Sequence, residues 1–133
     1  MRTAYADTFY FFALLNKKDA DHAKSVAWSK TYTGRIGTSE WVLTELADGL
    51  ASSKKRAVFE TTRQKMLADP VCRIVPLAMD LYEEGIKLYA ARSDKDWPLT
   101  DCISFVIMQR EGLTDALTGD HHFEQAGFTA LLK

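Results

Sequence analysis

Two apolar rhythms alternate along this chain. Thr3 to Ala6 is a short strand-like run, and the segment after it, DTFYFFALLN, changes to a helix-like apolar pattern with Asp7 at the junction. Ala20, Ala23, Val26, Ala27 and Trp28 then alternate with His22, Lys24 and Lys30 at roughly 3.6-residue spacing. That spacing predicts an amphipathic helix capped by Asp19 and running through Tyr32. Arg35 to Thr38 predicts a very short strand, and Ser39 is suited to cap a helix through Leu50. At about 100° per residue, Val42, Leu43, Leu46 and Leu50 share one face of that helix, while Glu45 falls to its side and can border a cleft.

The alternation continues to the end of the chain. SSKKRAVFETTRQKMLAD predicts a polar helix stopped before Pro70, Val71 to Val75 a β-branched strand, and Met79 to Ala91 another helix. Thr100 can cap a helix starting at Asp101, and Ala116 to Thr118 reads as a short buried strand followed within two residues by Asp120. His121 to Gln125 predicts a small helix ending near Gly127, before a last strand-like stretch, Thr129 to Leu132. Strands alternating with helices over short connections predict an α/β fold, with a mostly parallel sheet flanked by helices and right-handed crossovers. Ligands collect at the carboxyl ends of the strands in such sheets.

Composition narrows the picture without changing it. The 133 residues, 47% of them apolar, with a net charge of −1, predict a single compact domain spanning residues 1–133. No Pro/Gly/Ser linker, repeat, membrane-length apolar run or signal-peptide pattern interrupts it, which predicts a cytoplasmic protein with no membrane partner. Cys72 and Cys102 lie in apolar surroundings and fit reduced core thiols. The near-neutral charge argues against a sequence-independent nucleic-acid coat. Lys54, Lys55, Arg56, Arg63 and Lys65 still form a basic stripe, with two readings: phosphate contacts, or a solvated helix face.

The candidate chemistry lies in four acids. Asp7 and Asp120 each follow a strand, Asp101 begins a helix whose amino end favours a carboxylate, and Glu45 comes from a helix that itself follows a strand. Taken singly each has an ordinary explanation: Asp101 as a first-turn acid, Asp7 and Asp120 as turn formers, Glu45 as a solvated surface residue. Taken together those explanations weaken, because gathering four carboxylates in a partly dry cleft is unfavourable unless a cation neutralises them. Oxygen-only donors select a hard ion, Mg²⁺ or Mn²⁺, which suits phosphodiester hydrolysis.

These residues carry a resemblance. Tyr5-Ala6-Asp7-Thr8-Phe9, Ser39 to Leu46, Leu99-Thr100-Asp101-Cys102 and Leu117 to Phe123 occur in an order that resembles the PIN domain, specifically the small VapC-like ribonucleases of prokaryotic toxin–antitoxin pairs. The resemblance covers essentially the whole chain. It implies a metal-dependent endoribonuclease acting on RNA, a Mg²⁺ or Mn²⁺ site, frequent homodimers and a small cognate antitoxin. Residue by residue, Asp7, Glu45 and Asp101 match the regular acids of that site, Asp120 matches a more variable fourth, and Thr8 and Thr118 match supporting polar positions.

Other residues receive plainer assignments. Ser104, one helical turn from Asp101, could hydrogen-bond near the site, while Asp94 and Asp96 read as a solvated loop with a minor claim on metal or substrate. His121 and His122 are read as bystanders pointing in different directions, and His22 as a surface residue. Phe9, Phe11, Phe12, Leu14 and Leu15 are assigned to the core or to a surface for self-association. Two other classes stay open: a metal-dependent phosphatase or phosphotransfer domain, and a non-catalytic module that holds RNA or protein. The first lacks a second aspartate near Asp7 and a Gly-rich phosphate loop, and the second has no use for four clustered acids.

Overall fold

The computed structural model describes residues 2–133 and arranges them around β1 (Thr3–Ala6), the middle strand of five. The chain continues through α1 (Thr8–Leu15), α2 (His22–Thr31), β2 (Arg35–Ser39), α3 (Glu40–Gly49) and α4 (Arg56–Ala68). It then forms β3 (Cys72–Val75), α5 (Met79–Ala91), α6 (Leu99–Glu111), β4 (Asp115–Leu117), α7 (His121–Gln125) and β5 (Thr129–Ala130). Every pairing is parallel, in the spatial order β3-β2-β1-β4-β5. The α/β class expected from the alternating rhythms is therefore the observed one. Among the described residues no helix is long and apolar enough to cross a membrane.

Strand order fixes where a cleft opens. From β1 the chain fills one side of the sheet with β2 and β3, then crosses over to add β4 and β5 on the other. The reversal falls between β1 and β4, and loops leaving the carboxyl ends of two such strands diverge and leave a crevice. Asp7 leaves β1 there, and Thr118 and Asp120 leave β4.

Packing brings α6 over that crevice. Cys102, Ile103, Phe105, Ile107 and Met108 are all buried, so this helix is apolar around most of its circumference and belongs to the interior. By contrast α4 buries no residue fully and lies on the outside. Gly85 lets α5 approach α6 closely, since a Cβ there would collide with the Ile103 side chain. Arg110 clamps the far end of α6 to Asp80 at 2.6 Å, so the two helices run antiparallel.

Two helix starts differ from expectation. Pro98, extended at φ −61 and ψ 155, precedes a helix that begins at Leu99, so Thr100 lies inside the first turn instead of capping it. Asp19 does not cap α2 either; its Oδ1 accepts the Asp21 amide at 2.8 Å, which closes a turn that delays the helix to His22. Ser39 does cap α3, accepting the Val42 amide at 3.2 Å.

Candidate active site

Each predicted acid arrives from its own element. Asp7 is 3% exposed, between β1 and α1, and Asp101 is 5% exposed, in the first turn of α6. Glu45 lies half-buried on α3, beside the buried Val42, Leu43 and Leu46. Asp120 is the N-cap of α7. Their charges act on one another: Glu45 and Asp120 raise the proton affinity of Asp7, and Asp7, Asp120 and Glu45 raise that of Asp101. The structure thus brings all four acids to one cleft at the reversal point of the sheet.

Hydroxyls hold the carboxylates in place. The Thr118 hydroxyl donates to Asp7 Oδ2 at 3.1 Å and accepts the Asp120 amide at 3.0 Å, linking the ends of β1 and β4. Thr8 donates to Glu45 Oε1 at 2.6 Å and lies 3.4 Å from Asp7 Oδ1. Asp120 Oδ1 accepts the His122 amide at 2.9 Å, an ordinary N-cap contact. Gly119 lets the Phe9 ring close over this turn, since a Cβ there would meet the ring at 2.6 Å.

The electrostatics follow from burial. Removal from water pushes Asp7 up to about 6, partly opposed by hydrogen bonds from the Thr8 backbone and the Thr118 hydroxyl. Burial pushes Asp101 further, to about 8, with the charges of Asp7, Asp120 and Glu45 adding to the effect. A group of like charges in such surroundings attracts a cation. The donor set is dominated by carboxylate oxygens, so a hard divalent ion fits it best. Asp7, Asp101, Glu45 and Asp120 could hold that ion.

His122 was missed by the sequence reading. Its Nδ1 lies 3.1 Å from Asp101 Oδ2 and 3.4 Å from Asp120 Oδ1, so it points into the cluster, and its side chain is only 17% exposed. His121, 63% exposed, stands at the rim with Nδ1 3.5 Å from Asp120 Oδ1. One ligand atom from each of Asp120, His121 and His122 falls within a span of 4.8 Å, suitable for a metal. A short-range signal existed: the second residue after an N-cap aspartate donates its amide to the cap carboxylate, which keeps His122 beside Asp120.

Ser104 does not reach Asp101. Its hydroxyl lies 2.9 Å from the Tyr5 hydroxyl, which in turn donates to Ser39 Oγ at 3.1 Å, all of it buried. Burial, with the neighbouring charges of Asp7 and Asp101, raises the proton affinity of the Tyr5 phenol, which stays neutral. Asp94 is exposed and paired with Arg92, away from the cluster. Phe11 is buried core, while Leu14 and Leu15 line an apolar hollow of about 300 Å³ between α1 and α4.

The fold has counterparts among known proteins. The 23S rRNA-specific endonuclease VapC20 of Mycobacterium tuberculosis is 26% identical over 125 residues, covering 93% of this chain and 94% of its own length. The crystal structure of VapC20, described as a Sarcin-Ricin loop cleaving toxin, superposes with a TM-score of 0.87 at 23% identity over 96% of this chain and 98% of that one. FitAcB from Neisseria gonorrhoeae gives 0.69 at 20% identity over 96% and 95%. A toxin–antitoxin complex from Klebsiella pneumoniae gives 0.60 at 16% over 89% and 87%. The PIN domain profile matches residues 4–129, from the second residue of β1 to the first of β5, and the chain belongs to the PIN domain family.

Proposed function

We propose that this protein is a divalent-metal-dependent endoribonuclease, the toxin of a VapBC-type toxin–antitoxin pair. The observation that carries this reading is the convergence of Asp7, Glu45, Asp101 and Asp120 on one cleft, two of them nearly fully buried. When bound, Mg²⁺ or Mn²⁺ supplies counter-charge for phosphate oxygens and lowers the pKa of water. The chain's own part is to aim the carboxylates. Thr118 pins Asp7, Thr8 pins Glu45, and His122 spans Asp101 and Asp120. Thr8 engages only Oε1 of Glu45, which leaves Oε2 to accept the proton of an attacking water. Phosphodiester hydrolysis then places the leaving ribose oxygen on the far side of the phosphorus.

Two partners belong to the same proposal. VapC20 acts on 23S rRNA, which makes a structured RNA the substrate class for this chain. A small antitoxin is inferred from the Klebsiella pneumoniae complex, and the apolar hollow between α1 and α4 offers space for its side chains. A homodimer is supported by an exposed apolar patch, with Leu77 65%, Met79 71% and Tyr82 38% exposed beside Trp41. Sedimentation across a concentration series checks it, and Met79→Glu is expected to shift a dimer to monomer.

The primary experiment is incubation of purified protein with total cellular RNA and Mg²⁺ or Mn²⁺, beside an EDTA control and folded Asp7→Asn and Asp101→Asn variants. Discrete cuts that require both metal and acids are expected. Equal cutting by the variants would remove the cluster from the chemistry. Hydrolysis of a phosphomonoester dye without any RNA cleavage would transfer the site to the phosphatase class.

A further inference from the structure

The loop between α5 and α6 encloses a groove of about 750 Å³, lined by Tyr89, Arg92, Lys95, Asp96, Trp97 and Leu99 among others. That volume lies within the roughly 300–1,000 Å³ typical of small-molecule sites. Its wall at Leu99 stands two residues before Asp101 on the same helix. Trp97 ties the groove to the other side of the cleft: its Nε1 donates to Gln125 at 2.9 Å, at the end of the helix that carries His122. The Trp97 ring also packs edge-on against Phe105, and Phe105 against Phe123. The groove therefore opens beside the amino end of α6, the helix whose first turn carries Asp101.

Its chemistry differs from that of the cluster. The Arg92 guanidinium lies 4.9 Å from the centroid of the Trp97 ring and is fixed by a two-pronged contact with Asp94 at 2.9 and 3.0 Å. A planar cation held this way, its side chain still 40% exposed, is a ready platform for a base. Tyr89 adds an aromatic face that is 53% exposed. Lys95 forms no salt bridge among the described residues, so its ammonium is available to a phosphate. Asp96 supplies an acceptor for the N–H edge of a base. An exposed tyrosine, an arginine held between Trp97 and Asp94, and a lysine without a salt bridge among the described residues thus line one groove.

The geometry points to this groove as a subsite for one unstacked nucleotide in a loop of a structured RNA, flanking the phosphate cut at the acid cluster. It rests on the ribonuclease reading and extends it to substrate selection. The base stacks on Tyr89 and Arg92, Lys95 meets its phosphate, and Asp96 reads its edge. These residues position the substrate and take no part in the chemical step.

The test is steady-state cleavage of an end-labelled RNA hairpin that carries a cut site mapped in total cellular RNA, in Mn²⁺, by wild type, Tyr89→Ala, Tyr89→Phe, Arg92→Lys and Lys95→Ala. Loss of one stacking partner is expected to raise KM about fivefold to 100-fold with kcat within about twofold. Tyr89→Phe retains the ring and is expected to restore KM, a rescue that a change in folding would not produce. Asp96→Asn is expected to redistribute cut sites when RNA ends are sequenced. If wild type cuts and all groove variants keep its KM and cut sites, the subsite is overturned and the ribonuclease reading stands. If wild type cuts no RNA, both fall.

Discussion

Tyr5 and Asp7 stand two residues apart at the carboxyl end of β1, both buried, yet each anchors a different kind of polar cluster. Around Tyr5 the groups are neutral and complete one another: Ser104 meets the phenol, the phenol donates to Ser39, and Ser39 also accepts the Val42 amide. Around Asp7 the groups share one sign, and burial with mutual repulsion raises the proton affinity of Asp7 and Asp101. A satisfied hydroxyl chain holds β1, β2 and α6 together and asks for no ligand. Among the described residues no lysine or arginine pairs with the acid cluster, which favours it as the site that acts on something else.

The largest effect separates the two clusters by activity. Asp7→Asn or Asp101→Asn is expected to lower RNA cleavage by at least about 100-fold, whereas Tyr5→Phe, which leaves every acid in place, stays within a few-fold of wild type. Rates measured at saturating Mn²⁺ check this. A Tyr5→Phe enzyme as inactive as Asp101→Asn would merge the clusters into one functional unit.

Stability against pH comes next. Both aspartates have folded pKa values, about 6 and about 8, above the ordinary carboxylate value of 3.8 that the unfolded chain retains. The folded state therefore binds protons more tightly, and the stability gained by protonation is fully present below the unfolded pKa. It is lost as pH rises, first through about 6 at Asp7 and then through about 8 at Asp101. Melting of metal-free protein is expected to show Tm falling from acid to mildly alkaline pH. Asp101→Asn flattens the alkaline limb, and Mn²⁺ restores Tm in wild type but not in that variant. A Tm that rises with pH across this window would overturn the electrostatic reading.

The helical and strand rhythms make much of this site legible in the sequence. Asp7 and Asp120 stand where apolar strand patterns stop, and Glu45 stands off the Val42–Leu46 stripe, so local periodicity places two of them at strand ends and the third where it can border a cleft. Asp101 was placed correctly although its helix starts two residues earlier, because a first-turn acid faces the same amides from either position. Orientation across elements was not legible. Ser104 shares a helix face with Asp101 but lies deeper, where the Tyr5 phenol from β1 takes its hydroxyl. His122 points inward because the N-cap turn at Asp120 meets the first turn of α6, a contact between segments 21 positions apart.

A smaller effect measures what the hydroxyl chain contributes. Tyr5→Phe leaves Ser104 and Ser39 each short of a buried partner, and is expected to destabilise by about 1–3 kcal/mol in denaturant unfolding. Gly85→Ala falls in a similar range, about 1–3 kcal/mol, through the collision with Ile103. Its effect on cleavage is expected to follow stability, since α6 carries Asp101.

The smallest expected change comes from a third buried polar group that belongs to neither cluster. Ser25, on α2, is 0% exposed, and its Oγ has no hydrogen-bond partner among the described residues. It has no phenol to complete it, as Ser39 and Ser104 do. An unsatisfied buried hydroxyl lowers stability without return, so Ser25→Ala is expected to raise it by on the order of 1 kcal/mol, with cleavage and metal response unchanged. Chemical denaturation of the variant beside wild type decides the point. A loss of stability would mean that the hydroxyl is satisfied in solution, by water for example, and would place Ser25 with Tyr5 among the completed groups.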